Sequence, residues 1–223
     1  MATLYGVSVG PGDYELLTLK AVRIINEADI IAVPKTMGEN NMALDIVKKA
    51  VDLSEKDIIY IDFPMSKGNT KVFDDNYDKI AGDLEIYLKN DKNIAFLNIG
   101  DVSIFSSFSY VGERVKKNNY DVQMIPGVSS IQGTAAKLGI PLVQRDESVL
   151  VVSGESQNFD ELLSLNTNKV IMKGSKKIKD IKKICEGSEI YAVENLGLAS
   201  EKVYDSKEAL NDGAGYFTTI ICK

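Results

Sequence analysis

The chain has 223 residues, 44% hydrophobic and 26% charged, a balance that fits a globular protein of one large domain or two of about 100 residues each. Histidine is absent, which excludes a Ser-His-Asp triad, a Cys-His nucleophile pair and a His-ligated zinc; chemistry must come from carboxylates, hydroxyls, backbone amides or an organic cofactor. A net charge of −6 argues against nucleic acid as the main partner, and no apolar run approaches the roughly 18 residues that span a bilayer. Residues 1–21 lack the basic start and apolar centre of a secretory leader, so the expected location is cytoplasmic. Cys185 and Cys222 stand far apart and outside any paired motif. They read as small buried hydrophobes, and no metal site is expected.

In chain order, residues 4–10 form a β-rich run with a glycine exit, and 15–29 carries Leu16, Leu17, Leu19, Val22, Ile25 and Ala28 at helical spacing. A short strand at 30–33 stops at Pro34, and 42–51 reads as a helix. A strand at 57–63 precedes a longer helix at 74–90 with aspartates in its first turn. Then come a strand at 93–99, a helix at 106–118, a strand at 120–125 and a small-residue helix ending at Gly139 and Pro141. Strands alternating with helices imply a largely parallel sheet covered on both faces. From 148 onward strands recur at shorter intervals, at 148–154, 169–174, 189–195, 200–204 and 216–223, which implies a second, mixed sheet. The expected fold is α/β with two α/β domains, 1–118 and 119–223, divided at the polar "KKNNYD". The lysine-rich "KGSKKIKDIKK" at 173–183 reads as a solvated helix face, with an RNA-facing patch as the alternative.

Ligands of open α/β sheets bind at the carboxyl ends of strands. The first strand exits through "VGPGDYE", where Gly10 and Gly12 allow close backbone approach and Pro11 stiffens the loop. No Gly-Lys-Ser/Thr follows, and Glu15 occupies the third glycine's place of a dinucleotide fingerprint. Asp13 and Glu15 would repel a pyrophosphate, so a neutral or cationic ligand fits better; a plain turn capped by Asp13 explains the motif equally well. The strand ending "LNIGDVSIFSSFSY" (97–110) breaks at Gly100-Asp101 and enters a cluster of hydroxyls, which reads as a ligand floor, with a turn cap as the alternative for Asp101. Together with "IPGVSS" at 125–130, these exits converge if their strands are neighbours.

"GVSVGPGDYELLTLKA", "GDVSIFSSFSY" and "IPGVSSIQGTAAKLGIPL" together resemble the tetrapyrrole methyltransferases, the S-adenosylmethionine-dependent enzymes of cobalamin and sirohaem synthesis, over essentially the whole chain. "DFPM" at 62–65 and the Ser-Ser-Phe-Ser-Tyr continuation look most like the branch that methylates carbon 20 of precorrin-2 or cobalt-precorrin-2. The resemblance implies two α/β domains with the cofactor in the cleft between them, and a homodimer. It implies that Pro11 flanks the cleft, that Ile99, Gly100 and Asp101 lie along the cofactor with Ile104 beside them, and that Ser129 and Ser130 form the hydroxyl pair after Pro-Gly. Met172 matches an apolar residue on the adenosine, and Leu196 a backbone contact. Where many relatives have proline after Gly-Asp, this chain has Val102.

Such a methylation requires the protein to accept or relay one proton, and without histidine Asp101, or else Tyr110, is the candidate for that relay or for steadying a pyrrole N–H. A substrate rich in carboxylates, met by an acidic protein, needs local cations, for which Arg145 and some of Lys35, Lys67 and Lys71 are expected. Alternatives are a related enzyme acting at another ring position, more distant relatives that methylate a modified protein histidine or a ribose of ribosomal RNA, and a non-catalytic nucleotide- or tetrapyrrole-binding module.

Overall fold

The computed structural model describes residues 2–35, 41–63 and 70–223, the side chains of Thr70 and Lys71 excepted. The chain divides into two compact units, Met1–Ser129 and Ser130–Lys223. The division falls later than the expected 118/119, because the strand at 121–125 hydrogen-bonds into the first sheet beside the first strand.

The first unit is built on a five-stranded parallel sheet of β1 (Thr3–Ser8), β2 (Ile30–Pro34), β3 (Asp57–Ile61), β4 (Ile94–Asn98) and β5 (Asp121–Ile125), in the order β3-β2-β4-β1-β5. The three inner strands are almost wholly buried, whereas the edge strands β3 and β5 alternate with exposed positions. That contrast is the expected one for a sheet covered on both faces. Helices α1 (Leu19–Glu27) and α2 (Met42–Lys48) pack Ile25 and Val47 with Val7, Ile31 and Leu97 on one face. On the other, α3 (Thr70–Lys89) and α4 (Phe108–Lys117) pack Leu84, Phe108 and Val111 with Leu4, Ile94 and Phe96. Gly6 has no side chain because the Phe108 ring fills its place: a Cβ there would lie 2.4 Å from the ring. The helix expected over 15–29 is broken, because Thr18 Oγ1 accepts the amide of Ala21 at 3.1 Å and starts α1 afresh after a short 3-10 turn at Tyr14–Leu16.

The second unit opens with α5 (Ser130–Leu138) and carries a mixed sheet of β6 (Val149–Ser153), β7 (Asn168–Met172), β8 (Ile190–Glu194), β9 (Lys202–Tyr204) and β10 (Thr218–Cys222). Their order is β6-β7-β10-β8-β9, parallel between β6 and β7 and antiparallel elsewhere. Helices α6 (Phe159–Ser164) and α7 (Ile178–Ile184) bury Phe159, Leu163, Ile178 and Ile181 against Val152, Ile171, Ala192 and Ile220. Within the lysine-rich stretch, Ile178 and Ile181 of α7 are core. Lys177 lies over the Phe159 ring and Lys179 pairs with Asp212. Cys185 and Cys222 are free and buried in the same core. The structure brings these distant residues together in one core, where the neighbouring Cys222 thiol lowers the pKa of Cys185 and Cys185 raises that of Cys222.

Candidate functional site

Three connections leave the carboxyl end of the first sheet from adjacent strands: 9–13 after β1, 99–107 after β4 and 126–129 after β5. β4 and β5 are not neighbours; β1 lies between them, and its exit is the common partner. Gly10 (φ 76°) and Gly100 (φ 73°) are both left-handed. They form a backbone bridge in which Gly100 N donates to Gly10 O at 2.8 Å. A residue with a Cβ adopts that backbone only at a cost, which is why both strand exits need glycine.

Asp101 is 9% exposed and holds two connections at once. Its Oδ1 accepts from Ser103 N at 2.8 Å and from the Ser103 hydroxyl, and its Oδ2 accepts from Gly127 N at 2.8 Å. Burial pushes the carboxyl up, but the donors from Gly127 and Ser103 outweigh it and hold the group below the ordinary carboxylate value. Gly127 fits the same place sterically, since a Cβ on it would lie 2.5 Å from Ser8 Cβ.

Two residues that the sequence reading passed over complete the arrangement. Ser8 and Asn98 are register partners at the last positions of β1 and β4. Ser8 Oγ accepts from Val102 N at 2.9 Å, and Asn98 Oδ1 accepts from Ser106 Oγ at 2.6 Å. Polar residues in matched final positions of two apolar strands are the sign that could have revealed them. The bond to Ser8 also accounts for Val102: proline has no N–H to donate, and the valine side chain is 1% exposed in the core. Three of the four serines read as a ligand floor have internal partners, Ser103 on Asp101, Ser106 on Asn98 and Ser109 on the Ser106 carbonyl. Asp13 accepts from Glu15 N at 3.0 Å, as the cap reading expects.

Pro11, Ile99, Gly100, Asp101 and Ile104 therefore lie on the β1 and β4 exits, and Ser129 is buried at the end of the third connection. Ser130, Met172, Leu196 and Arg145 belong to the second unit. Ser130 Oγ accepts from Thr219 Oγ1 of β10 at 3.0 Å, which fixes the start of α5 on its own sheet. Met172 is the last residue of β7, and Leu196 sits buried just after β8, between Asn195 and Gly197, both left-handed. Arg145 is exposed in the turn before β6. Tyr110, in the first turn of α4, is 46% exposed, with its ring against Phe73 and Tyr77. Lys35 is exposed after β2, Lys67 lies outside the described residues, and so does the side chain of Lys71.

Residues 3–210 match the model of the Tetrapyrrole (Corrin/Porphyrin) Methylases. The chain belongs to this family. It is 32% identical over 208 residues to the probable cobalt-precorrin-2 C(20)-methyltransferase of Methanocaldococcus jannaschii, covering 93% of this chain and 86% of that protein. To the precorrin-2 C(20)-methyltransferase of Sinorhizobium sp it is 28% identical, covering 98% and 94%. The probable cobalt-precorrin-7 C(5)-methyltransferase of Methanocaldococcus jannaschii is 30% identical, covering 98% and 96%. Among solved structures, the uroporphyrin-III C-methyl transferase of Thermus thermophilus complexed with S-adenosylhomocysteine shares the fold of this tetrapyrrole methylase, with a TM-score of 0.72 at 20% identity over 99% of this chain and 92% of that one.

Proposed function

We propose that this tetrapyrrole methylase transfers a methyl group from S-adenosylmethionine to carbon 20 of precorrin-2 or cobalt-precorrin-2, a step of cobalamin synthesis. One observation of the structure supports the donor. The connections 9–13, 99–107 and 126–129 gather two left-handed glycines and a buried, ionised Asp101, and contain no lysine or arginine. A phosphate-bearing cofactor needs cations or a helix start free of carboxylates. A sulfonium without phosphates suits this anionic set. The choice of carbon 20 rests on the two relatives named for that position and on "DFPM" at 62–65, of which Pro64 and Met65 lie outside the described residues.

When bound, S-adenosylmethionine supplies an electrophilic methyl on a cationic sulfur, which lets a nucleophilic ring carbon react without protein-based covalent chemistry. The chain's task is then alignment, worth about 7–11 kcal/mol when complete. In this reading Ile99, Gly100 and Asp101 lie along the donor with Ile104 beside it, Pro11 flanks it and Ser129 and Ser130 meet it. Met172 contacts its adenosine, and Leu196 contributes a main-chain contact. The depressed carboxyl of Asp101 makes it a weak base. Its task is to steady a pyrrole N–H or the donor's positive charge through lone pairs that Ser103 and Gly127 leave available. Tyr110 is the second candidate for moving the proton. Arg145, Lys35, Lys67 and Lys71 are proposed to meet the carboxylates of the macrocycle, with the protein acting as a cytoplasmic homodimer on a small molecule.

Thermal stabilisation by S-adenosylhomocysteine, with none by ATP or NAD, is the expected result, and the reverse pattern removes the donor assignment. Product analysis on precorrin-2, with and without cobalt, then fixes the ring position. The 30% identity to the C(5) relative supports a second reading, methylation at another carbon, and a product methylated there would replace the first.

A further inference from the structure

The turn carrying Leu196 is held by a carboxylate that no motif marks. Glu201 Oε2 accepts from Gly197 N at 2.8 Å, and its Oε1 pairs with Lys137 Nζ at 2.5 Å in the last turn of α5. Within the same turn, Asn195 Nδ2 donates to Ser200 Oγ at 3.1 Å, and Leu198 N and Glu201 N bond back to Asn195 O and Leu198 O. Asn195 (φ 52°) and Gly197 (φ 75°) flank Leu196 in left-handed backbone. Such a conformation persists only where surrounding bonds over-determine it. At its other end α5 begins with Ser130, held by Thr219. One helix therefore ties together Ser130 and the Leu196 turn, with Ser130 and Lys137 about 10 Å apart along its axis at 1.5 Å per residue.

We propose that Glu201 is a positioning residue for the methyl donor: through Gly197 N and Lys137 it fixes the Leu196 peptide relative to Ser130, so that both meet one bound molecule. The inference rests on the donor reading above. The Glu201 side chain is 18% exposed against 46% for Lys137, so the carboxylate is the sheltered half of the pair, and its second oxygen is committed to Gly197 N. Loss of the carboxylate releases a left-handed turn, and the cost falls on donor binding before it falls on the ring chemistry.

The experiment measures the Kd of S-adenosylhomocysteine by calorimetry and the steady-state constants for both substrates, for the full-length wild type, Glu201→Ala, Glu201→Gln and Lys137→Met. Glu201→Ala is expected to weaken donor binding about tenfold, the factor that follows from losing a charge-assisted hydrogen bond. Its KM for S-adenosylmethionine rises by a similar factor, while the KM for the tetrapyrrole stays within twofold of wild type. Glu201→Gln keeps an acceptor for Gly197 N and recovers part of the loss; Lys137→Met shows a smaller effect in the same direction. If the wild type binds S-adenosylhomocysteine and Glu201→Ala binds it equally well, the inference is overturned. A loss of affinity for both substrates alike also overturns it, as general loosening of the unit. If the wild type itself does not bind, the donor reading fails and takes this inference with it.

Discussion

Asp101 joins two connections through one side chain, and the donors it accepts come from both of them. Folding favours its ionised form, because the folded carboxyl lies below its ordinary value of 3.8. The stabilisation is complete above that ordinary value and is lost as pH falls through the folded one. Asp101→Asn replaces one acceptor with an amide that faces Ser103 or Gly127 as a second donor. The expected loss is about 1–3 kcal/mol at neutral pH, read by urea denaturation, and the gap between the two proteins narrows below about pH 4. At this scale the sequence was half legible. A glycine and a carboxylate ending an apolar strand left two readings open, a ligand floor and a turn cap, and Asp101 does accept the local amide a cap accepts, that of Ser103. The serines that follow were less legible, because nothing in their order reveals that the hydroxyls of Ser103, Ser106 and Ser109 have partners on Asp101, Asn98 and a nearby carbonyl. Glu201 was illegible for a different reason: its lysine lies on a helix 64 positions earlier, and only the fold joins them.

The elements of the first unit were readable because each inner strand is apolar on both faces and each covering helix is apolar on one. Misreadings occurred where local chemistry interrupts the period. Thr18 restarts a helix inside an unbroken apolar pattern, and α6 is too short for its two buried residues, Phe159 and Leu163, to show a period. Strand β1 meets α4 at Gly6, where the ring of Phe108 lies closest. Gly6→Ala inserts a methyl group into that ring's space, and neither strand nor ring can move without disturbing Phe96, 5.5 Å from Phe108 between centroids. The variant is expected to lose about 1–3 kcal/mol in denaturant unfolding, by overpacking. Phe108→Leu in the same background should restore part of it, since the smaller side chain leaves room for the methyl group.

The two units differ in how the chain order maps onto the sheet. All five strands of the first lie within residues 1–129, whereas the second places its last strand, β10, at the centre, bonded to β7 on one side and β8 on the other. The expected boundary at 118/119 missed β5 because a polar connection resembles a linker, and only strand pairing shows that the next strand returns to the first sheet. A variant ending at Phe217 should lose the second sheet as a whole. Limited proteolysis is expected to digest 130–217 rapidly and to spare 1–129, whereas the chain that includes β10 resists at both.

The central position of β10 also has a consequence during synthesis. The first unit has all of its sheet strands once residue 125 has emerged, but the second holds two separate pairs, β6-β7 and β8-β9, whose inner edges face no partner until residues 218–222 are in place. For that interval the nascent polypeptide displays open strand edges, the surfaces through which chains aggregate. Any delay in placing β10 prolongs this vulnerable stage, and residues 218–222 decide whether the half-made lobe closes on itself or on a neighbour.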